Sequence, residues 1–165
     1  MWRSRDASAL CSSLVTRRVI FLDIDGVLAP IRRWDRYEDL DAACVGVLNE
    51  IVAGAGADVV VSSTWRYGKT VGELQEMLEA QGFTGCVVDK TPVGSPGATR
   101  GEEIAAWLAE RSVEGFVIID DHGDMGELWP YLVQTHPAHG LRADDARQAI
   151  AMLLGSTPPA RPPRS

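Results

Sequence analysis

No apolar run in this sequence approaches the ~20 residues of a membrane-spanning helix, so no membrane partner is expected. Cysteine is scarce: Cys11, Cys44 and Cys86 are odd in number, far apart and without a CxxC pair. That spacing argues against a disulfide framework or a zinc site and predicts reduced thiols in a cytoplasmic setting. Histidine is limited to His122, His136 and His139, at no spacing that suits zinc. Positive charge is in deficit, 16 Lys and Arg against 23 Asp and Glu, for a formal net charge of −7. Strong nonspecific attraction to nucleic acid is therefore disfavoured, which leaves room for a local basic patch. The arginines Arg3, Arg5, Arg17 and Arg18 lead into no apolar h-region, so no secretory signal is read.

What is present is a globular composition, 45% hydrophobic and 24% charged, in a chain of 165 residues that suits one domain. The expected organisation is a leader over 1–16, one catalytic domain over 17–155, and the Pro-rich tail STPPARPPRS over 156–165. Short apolar runs alternate with helical periods, the pattern of a βα chain with a parallel sheet. The strand candidates are VIFLD (19–23), DVVVSS (58–63), CVVD (86–89), GFVIIDD (115–121) and YLVQT (131–135). Between them, Leu40, Cys44, Val47, Leu48 and Ile51 recur at helical spacing, and Thr70 with Glu73 and Thr99 with Glu102 read as capping boxes. A closing helix is expected over 143–154. The strands are apolar throughout rather than alternating, so helices should cover both faces of the sheet.

In open sheets of this kind, ligands sit beyond the carboxyl ends of the strands. The polar residues fall there: Asp23 and Asp25 after the first strand, Ser62 and Ser63 after the second, Asp120 and Asp121 after the fourth. Four carboxylates converging in one crevice repel one another unless a hard cation holds them, and Mg²⁺ is the natural candidate. Asp23 could then act both as metal ligand and as nucleophile on phosphorus, forming an aspartyl-phosphate. Asp25, two residues on, could protonate the leaving oxygen and then deprotonate the hydrolytic water.

FLDIDGVL resembles the first motif of the haloacid dehalogenase (HAD) superfamily, VVVSS its second and VIIDD its fourth. The resemblance implies a Rossmann-like α/β three-layer sandwich with a mainly parallel five-stranded sheet in the order 3-2-1-4-5. It implies a nucleophile at Asp23, an acid/base at Asp25 whose backbone carbonyl also binds Mg²⁺, and a phosphoryl-binding hydroxyl at Ser62 aided by the N–H of Ser63. Of the acidic pair, Asp121 aligns with the directly coordinating carboxylate and Asp120 acts through water. The third-motif cation is Lys90 or Arg100; Arg100 is preferred, because the start of its helix also faces a phosphate. Val27 stands where the superfamily usually has threonine. Further short matches, SSTWR, KTP (90–92), RGEEI (100–104) and THPAHGL, resemble the HAD-type domain of Swiss Army Knife RNA repair proteins, over about 18–154.

That resemblance implies phosphate-ester hydrolysis, since dehalogenases of the superfamily lack the second aspartate and its transport ATPases carry threonine there. The segments after the first strand and over 91–99 are too short for a substantial cap domain, so the site is open to large substrates. The expected partners are RNA or DNA ends or nucleotides bearing a phosphate, together with RNA-repair proteins; the oligomeric state stays open. IRRWDRY (31–37) and TWRYGK (64–69) mix arginine with aromatic rings as a phosphate- and base-gripping site does. Trp65 and Arg66 are the expected substrate contacts, against the alternative of a solvated loop pinned by its tryptophan. The competing functions are a small-metabolite phosphatase, a noncatalytic RNA-repair binding module and a phospho-acceptor signalling domain; in the last, the acidic pair would come on strand one.

Overall fold

A computed structural model describes residues 17–32 and 39–155. The leader, the tail and most of IRRWDRY lie outside the described residues. Five strands, β1 (Arg18–Leu22), β2 (Ala57–Val61), β3 (Val87–Lys90), β4 (Gly115–Asp120) and β5 (Leu132–Gln134), form one sheet in the order β3-β2-β1-β4-β5. Every pairing is parallel. The fold is thus the expected Rossmann-like α/β sandwich with strand order 3-2-1-4-5. The order reverses between β2–β1 and β1–β4, and the crevice beyond β1 is where such a sheet takes its ligand.

The helices are α1 (Ala42–Ala55), α2 (Val71–Glu79), α3 (Arg100–Ala109) and α4 (Ala143–Leu153). Asp41 caps α1 by accepting from the Ala43 and Cys44 N–H groups, and both predicted capping boxes, Thr70 with Glu73 and Thr99 with Glu102, are formed. Period-two alternation then divides the core. Ile20 and Leu22 face a cluster with Leu48 and Ile51 of α1, Leu74 and Leu78 of α2, and Ala149 of α4. Val19, Phe21, Val60 and Ile118 face the other side, against Ile104 and Trp107 of α3. Trp107 is core, as its place on the apolar face of the helix predicts.

This alternation positions the site. Leu22 is level with Val61 and with Ile119, so Asp23, Ser62 and Asp120 follow at one level across three neighbouring strands. Being one step beyond Leu22, Val61 and Ile119, they belong to the opposite face, the face covered by α3. The backbone ladder continues past the strand ends to hold them there: Asp23 N–H donates to the Ile119 carbonyl and Ser62 N–H to the Leu22 carbonyl, each at 3.0 Å.

One feature departs from the sequence reading. Residues 126–131 form a 3₁₀ turn containing Pro130, which has no helical periodicity to announce it. Cys44 is a free, buried thiol, and Cys11 lies outside the described residues.

Helix α3 sits close against the 3₁₀ segment. A Cβ at Gly101 would lie 2.6 Å from the Met125 carbonyl oxygen. Gly101→Ala should therefore destabilise the protein by roughly 1–3 kcal/mol through overpacking, although alanine is the better helix former by about 1 kcal/mol. Urea denaturation checks this; a more stable variant would show that the helix slides freely at its N-terminus.

Candidate active site

Asp23, Asp120 and Asp121 present carboxylate oxygens that all lie within 4.8 Å of one another. Asp23 and Asp120 are buried, at 4% and 0% exposure. Arg100, the first residue of α3, meets both: its Nη1 is 3.0 Å from Asp23 Oδ1 and 2.6 Å from Asp120 Oδ2. The other oxygen of Asp120 accepts from the His122 N–H at 2.9 Å, so both oxygens of Asp120 have protein partners. Asp121 Oδ1 is buried with no hydrogen-bond partner.

The electrostatics follow from this crowding. Burial, with the Asp120 charge beside it, pushes the Asp23 carboxyl from the usual 3.8 up to about 8, against the opposing pull of Arg100 and a backbone hydrogen bond at Ile24. Burial raises the Asp121 carboxyl as well, with His122 opposing and Asp120 adding. Burial works against the charge of Arg100, but Asp120 and Asp23 outweigh it and raise its pKa further.

Three carboxylates with an unpartnered buried oxygen among them form an all-oxygen, hard donor set, which fits Mg²⁺. Asp23 and Asp121 are the members with capacity to spare.

Beyond β2 the chain turns through a short 3₁₀ segment, Thr64–Arg66, capped by Ser63 Oγ accepting from the Trp65 N–H. The Ser63 hydroxyl is thus occupied in holding the turn. The Ser62 hydroxyl, fully buried, has no hydrogen-bond partner and belongs to the level of Asp23.

Arg66 turns inward rather than standing free at the surface. It is 1% exposed, and each guanidinium nitrogen has internal partners. Nε donates to the Thr91 carbonyl, Nη1 to those of Ser62 and Ser63, and Nη2 to that of Pro92 and to Glu103 Oε2 at 2.7 Å. The expectation that Arg66 grips substrate meets a guanidinium already occupied by internal acceptors: an arginine in a polar, aromatic stretch reads as a surface contact until its carbonyl cage is seen. Lys90 is likewise engaged elsewhere, donating from Nζ to the Lys69 carbonyl at 2.5 Å and more distantly to that of Arg66. Of the two third-motif candidates, Arg100 is the one that reaches the acidic cluster.

Asp25 stands outside that cluster. Its Oδ2 accepts from Trp65 Nε1 at 3.0 Å, so the tryptophan expected to stack on substrate touches a carboxylate. Between the two aspartates' strand and the rest of the loop, Gly26 adopts φ +76°, and a Cβ there would sit 2.5 Å from Asp121 Oδ2. Its carbonyl accepts from the buried Thr135 hydroxyl at 2.7 Å.

Sequence reasoning missed Glu103, assigned no chemistry, which pairs with Arg66 and accepts from the Gly94 N–H. It also missed Thr135, whose hydroxyl partner Gly26 lies 109 positions away. His136 and His139 lie against each other in their turn with rings tilted by 33°, 4.7 Å between centroids, and the His136 Nδ1 accepts from the Ala138 N–H, as turn residues rather than metal ligands.

Residues 19–146 match the family described as the HAD domain in Swiss Army Knife RNA repair proteins. No curated protein and no solved structure matches the chain.

Two predictions arise here. Arg66→Ala leaves Glu103 buried without its partner and should cost about 3–5 kcal/mol. Arg66→Lys, which keeps charge but not the fork, should also lose stability. A variant that instead keeps its Tm and only raises KM would return Arg66 to the substrate. Second, Asp23 carries a folded-state pKa above its unfolded value, so the folded protein holds the extra proton between pH 4 and 8. In chelator, stability should fall over that range as pH rises, on the order of 1 kcal/mol per pH unit, and Asp23→Asn should show a smaller loss, the raised Asp121 carboxyl still contributing. Mg²⁺ should raise Tm more at pH 8.5 than at pH 6; thermal melts of both proteins across pH test the sign.

Proposed function

The chain belongs to the HAD domain family of Swiss Army Knife RNA repair proteins, and on that footing we propose a Mg²⁺-dependent phosphohydrolase that works through an aspartyl-phosphate on Asp23. The family supports HAD-type phosphohydrolase chemistry in general, and the three-aspartate cluster fits a metal ion. The observation that carries the finer reading is the level arrangement of Asp23 between the unpartnered Ser62 hydroxyl and the Arg100-bound Asp120. A nucleophile, a phosphoryl-oxygen donor and a cation stand side by side at the strand ends, where an α/β sheet takes its ligand.

In this mechanism Asp23 attacks phosphorus with one carboxylate oxygen as the bond from phosphorus to the leaving oxygen breaks. Asp25 supplies the proton that the leaving oxygen takes up. Water then attacks the phosphorus of the acyl-phosphate, Asp25 takes back a proton, and Asp23 departs as a carboxylate with release of inorganic phosphate. Ser62 Oγ–H, the Ser63 N–H and the Arg100 guanidinium hold the nonbridging oxygens. A Mg²⁺ ion held by Asp23, Asp121 and the Asp25 carbonyl, with Asp120 behind, would supply charge neutralisation between nucleophile and phosphoryl group. Arg100 serves as the third-motif cation.

The substrate class we propose is a phosphate at a nucleic-acid end or on a nucleotide. Its support is the family description and the absence of any helix or strand in the segment between β3 and α3 that could close over the site. A half-exposed Tyr67 also borders a cleft with Arg111, a ring and a cation of the kind suited to a nucleotide strand.

Asp23→Asn should lower turnover by at least ~10³-fold without loss of fold, and Asp25→Asn by roughly 10²–10⁴-fold. The measurement is phosphate release from p-nitrophenyl phosphate, nucleotides and 5′- or 3′-phosphorylated oligonucleotides, with Mg²⁺ and with chelator. Release from small sugar phosphates alone would mark a metabolite phosphatase. Mg²⁺-independent binding with no release from any substrate would mark a noncatalytic module and end the enzymatic reading.

A further inference from the structure

We infer that Trp65 is a positioning residue for Asp25, holding its carboxylate through the indole N–H rather than stacking on substrate. The inference rests on the reading of Asp25 as acid and base. Trp65 Nε1 lies 3.0 Å from Asp25 Oδ2, a hydrogen bond to a carboxylate from a donor that carries no charge and has no acceptor function. The indole itself packs against the larger core cluster, and its own backbone N–H is tied to Ser63 Oγ. Its chain neighbour Arg66 is anchored by five hydrogen bonds. The donor is therefore fixed at both ends, by the ring's packing and by the turn that carries it.

Asp25 needs such a fixture because of where it stands. Asp23 is oriented by Arg100 and lies in the acidic cluster, whereas Asp25 is not among the clustered carboxylates. It follows the strand rather than belonging to it, in a loop folded around the Ile24 carbonyl, which accepts from the N–H groups of Val27, Leu28 and Ala29. A carboxylate on a loop has rotamers to choose among, and an acid that must meet a leaving oxygen within hydrogen-bond reach loses efficiency with each wrong one. The indole N–H binds Oδ2 and leaves Oδ1 to carry the proton. The same bond links the first motif to the second: the turn that presents Ser62 and Ser63 also sets the acid.

The two roles open to Trp65 separate by leaving group. An acid matters for departure of an alkoxide and little for a p-nitrophenolate, whereas stacking on a base affects binding. With the protein purified with Mg²⁺, kcat/KM is measured for a 5′-phosphorylated oligonucleotide and for p-nitrophenyl phosphate. Trp65→Phe should lower kcat/KM for the oligonucleotide at least ~10-fold more than for the aryl ester, with the loss in kcat. In an Asp25→Asn background the same substitution should add less than about 2-fold, because the group it positions is gone. If Trp65→Phe fails to fold, 3-benzothienylalanine at position 65 keeps the ring shape and deletes the N–H alone. A rise in KM confined to the oligonucleotide, or equal losses on both substrates that multiply with Asp25→Asn, overturns the inference. Absence of hydrolysis by the unmodified protein on either substrate would instead defeat the phosphatase reading beneath it.

Discussion

The guanidinium of Arg66 holds together more separate pieces of this protein than any other group described here. It gathers the carbonyls of Ser62 and Ser63 at the end of β2, those of Thr91 and Pro92 after β3, and the Glu103 carboxylate of α3. These are backbone acceptors that run out of ladder partners where the strands stop. A buried acceptor without a partner costs about 1–3 kcal/mol; the cation meets that need for the buried Ser62 and Thr91 carbonyls and adds to the Ser63 carbonyl, which already accepts from the Arg66 backbone N–H. Arginine suits the position because its planar fork offers five N–H donors at fixed angles, which lysine does not. The Glu103 charge then neutralises it, and the Gly94 N–H satisfies the remaining oxygen of that carboxylate.

A second constraint is built on the first. Because α3 is tied at Glu103 to the end of β2, its opening residue Arg100 comes to rest beside Asp23 and Asp120. The cluster tolerates its own crowding through that contact, yet the attraction does not cancel it: the Asp23 carboxyl still stands near 8. The energetic strain sits where a cation or a phosphoryl group would arrive, and the rest of the domain, apolar on both faces of the sheet, supplies the stability that offsets it.

Much of this was legible in the sequence. Continuous apolar strands announced a sheet covered on both sides, the paired threonine and glutamate residues located the starts of α2 and α3, and the polar strand ends located the crevice. Each of these signals is local, set by residues a few positions apart. What was not legible is long-range: that Arg66 turns inward, that Glu103 waits for it, that Lys90 spends its ammonium on carbonyls, and that Trp65 reaches Asp25. In each case the residue type suited two roles, and the partner that decides between them lies 21 or more positions away.

Gly26 carries a consequence for relatives of this chain. Its left-handed backbone and the 2.5 Å clearance to Asp121 leave no volume for a side chain. An inherited replacement there cannot coexist with Asp121 in its present place, so one of the two must yield. A descendant that keeps all four aspartates but has lost this glycine would hold the same charges with its acidic centre rearranged. The smallest residue in the loop is therefore as telling a mark of lineage decay as the charged ones.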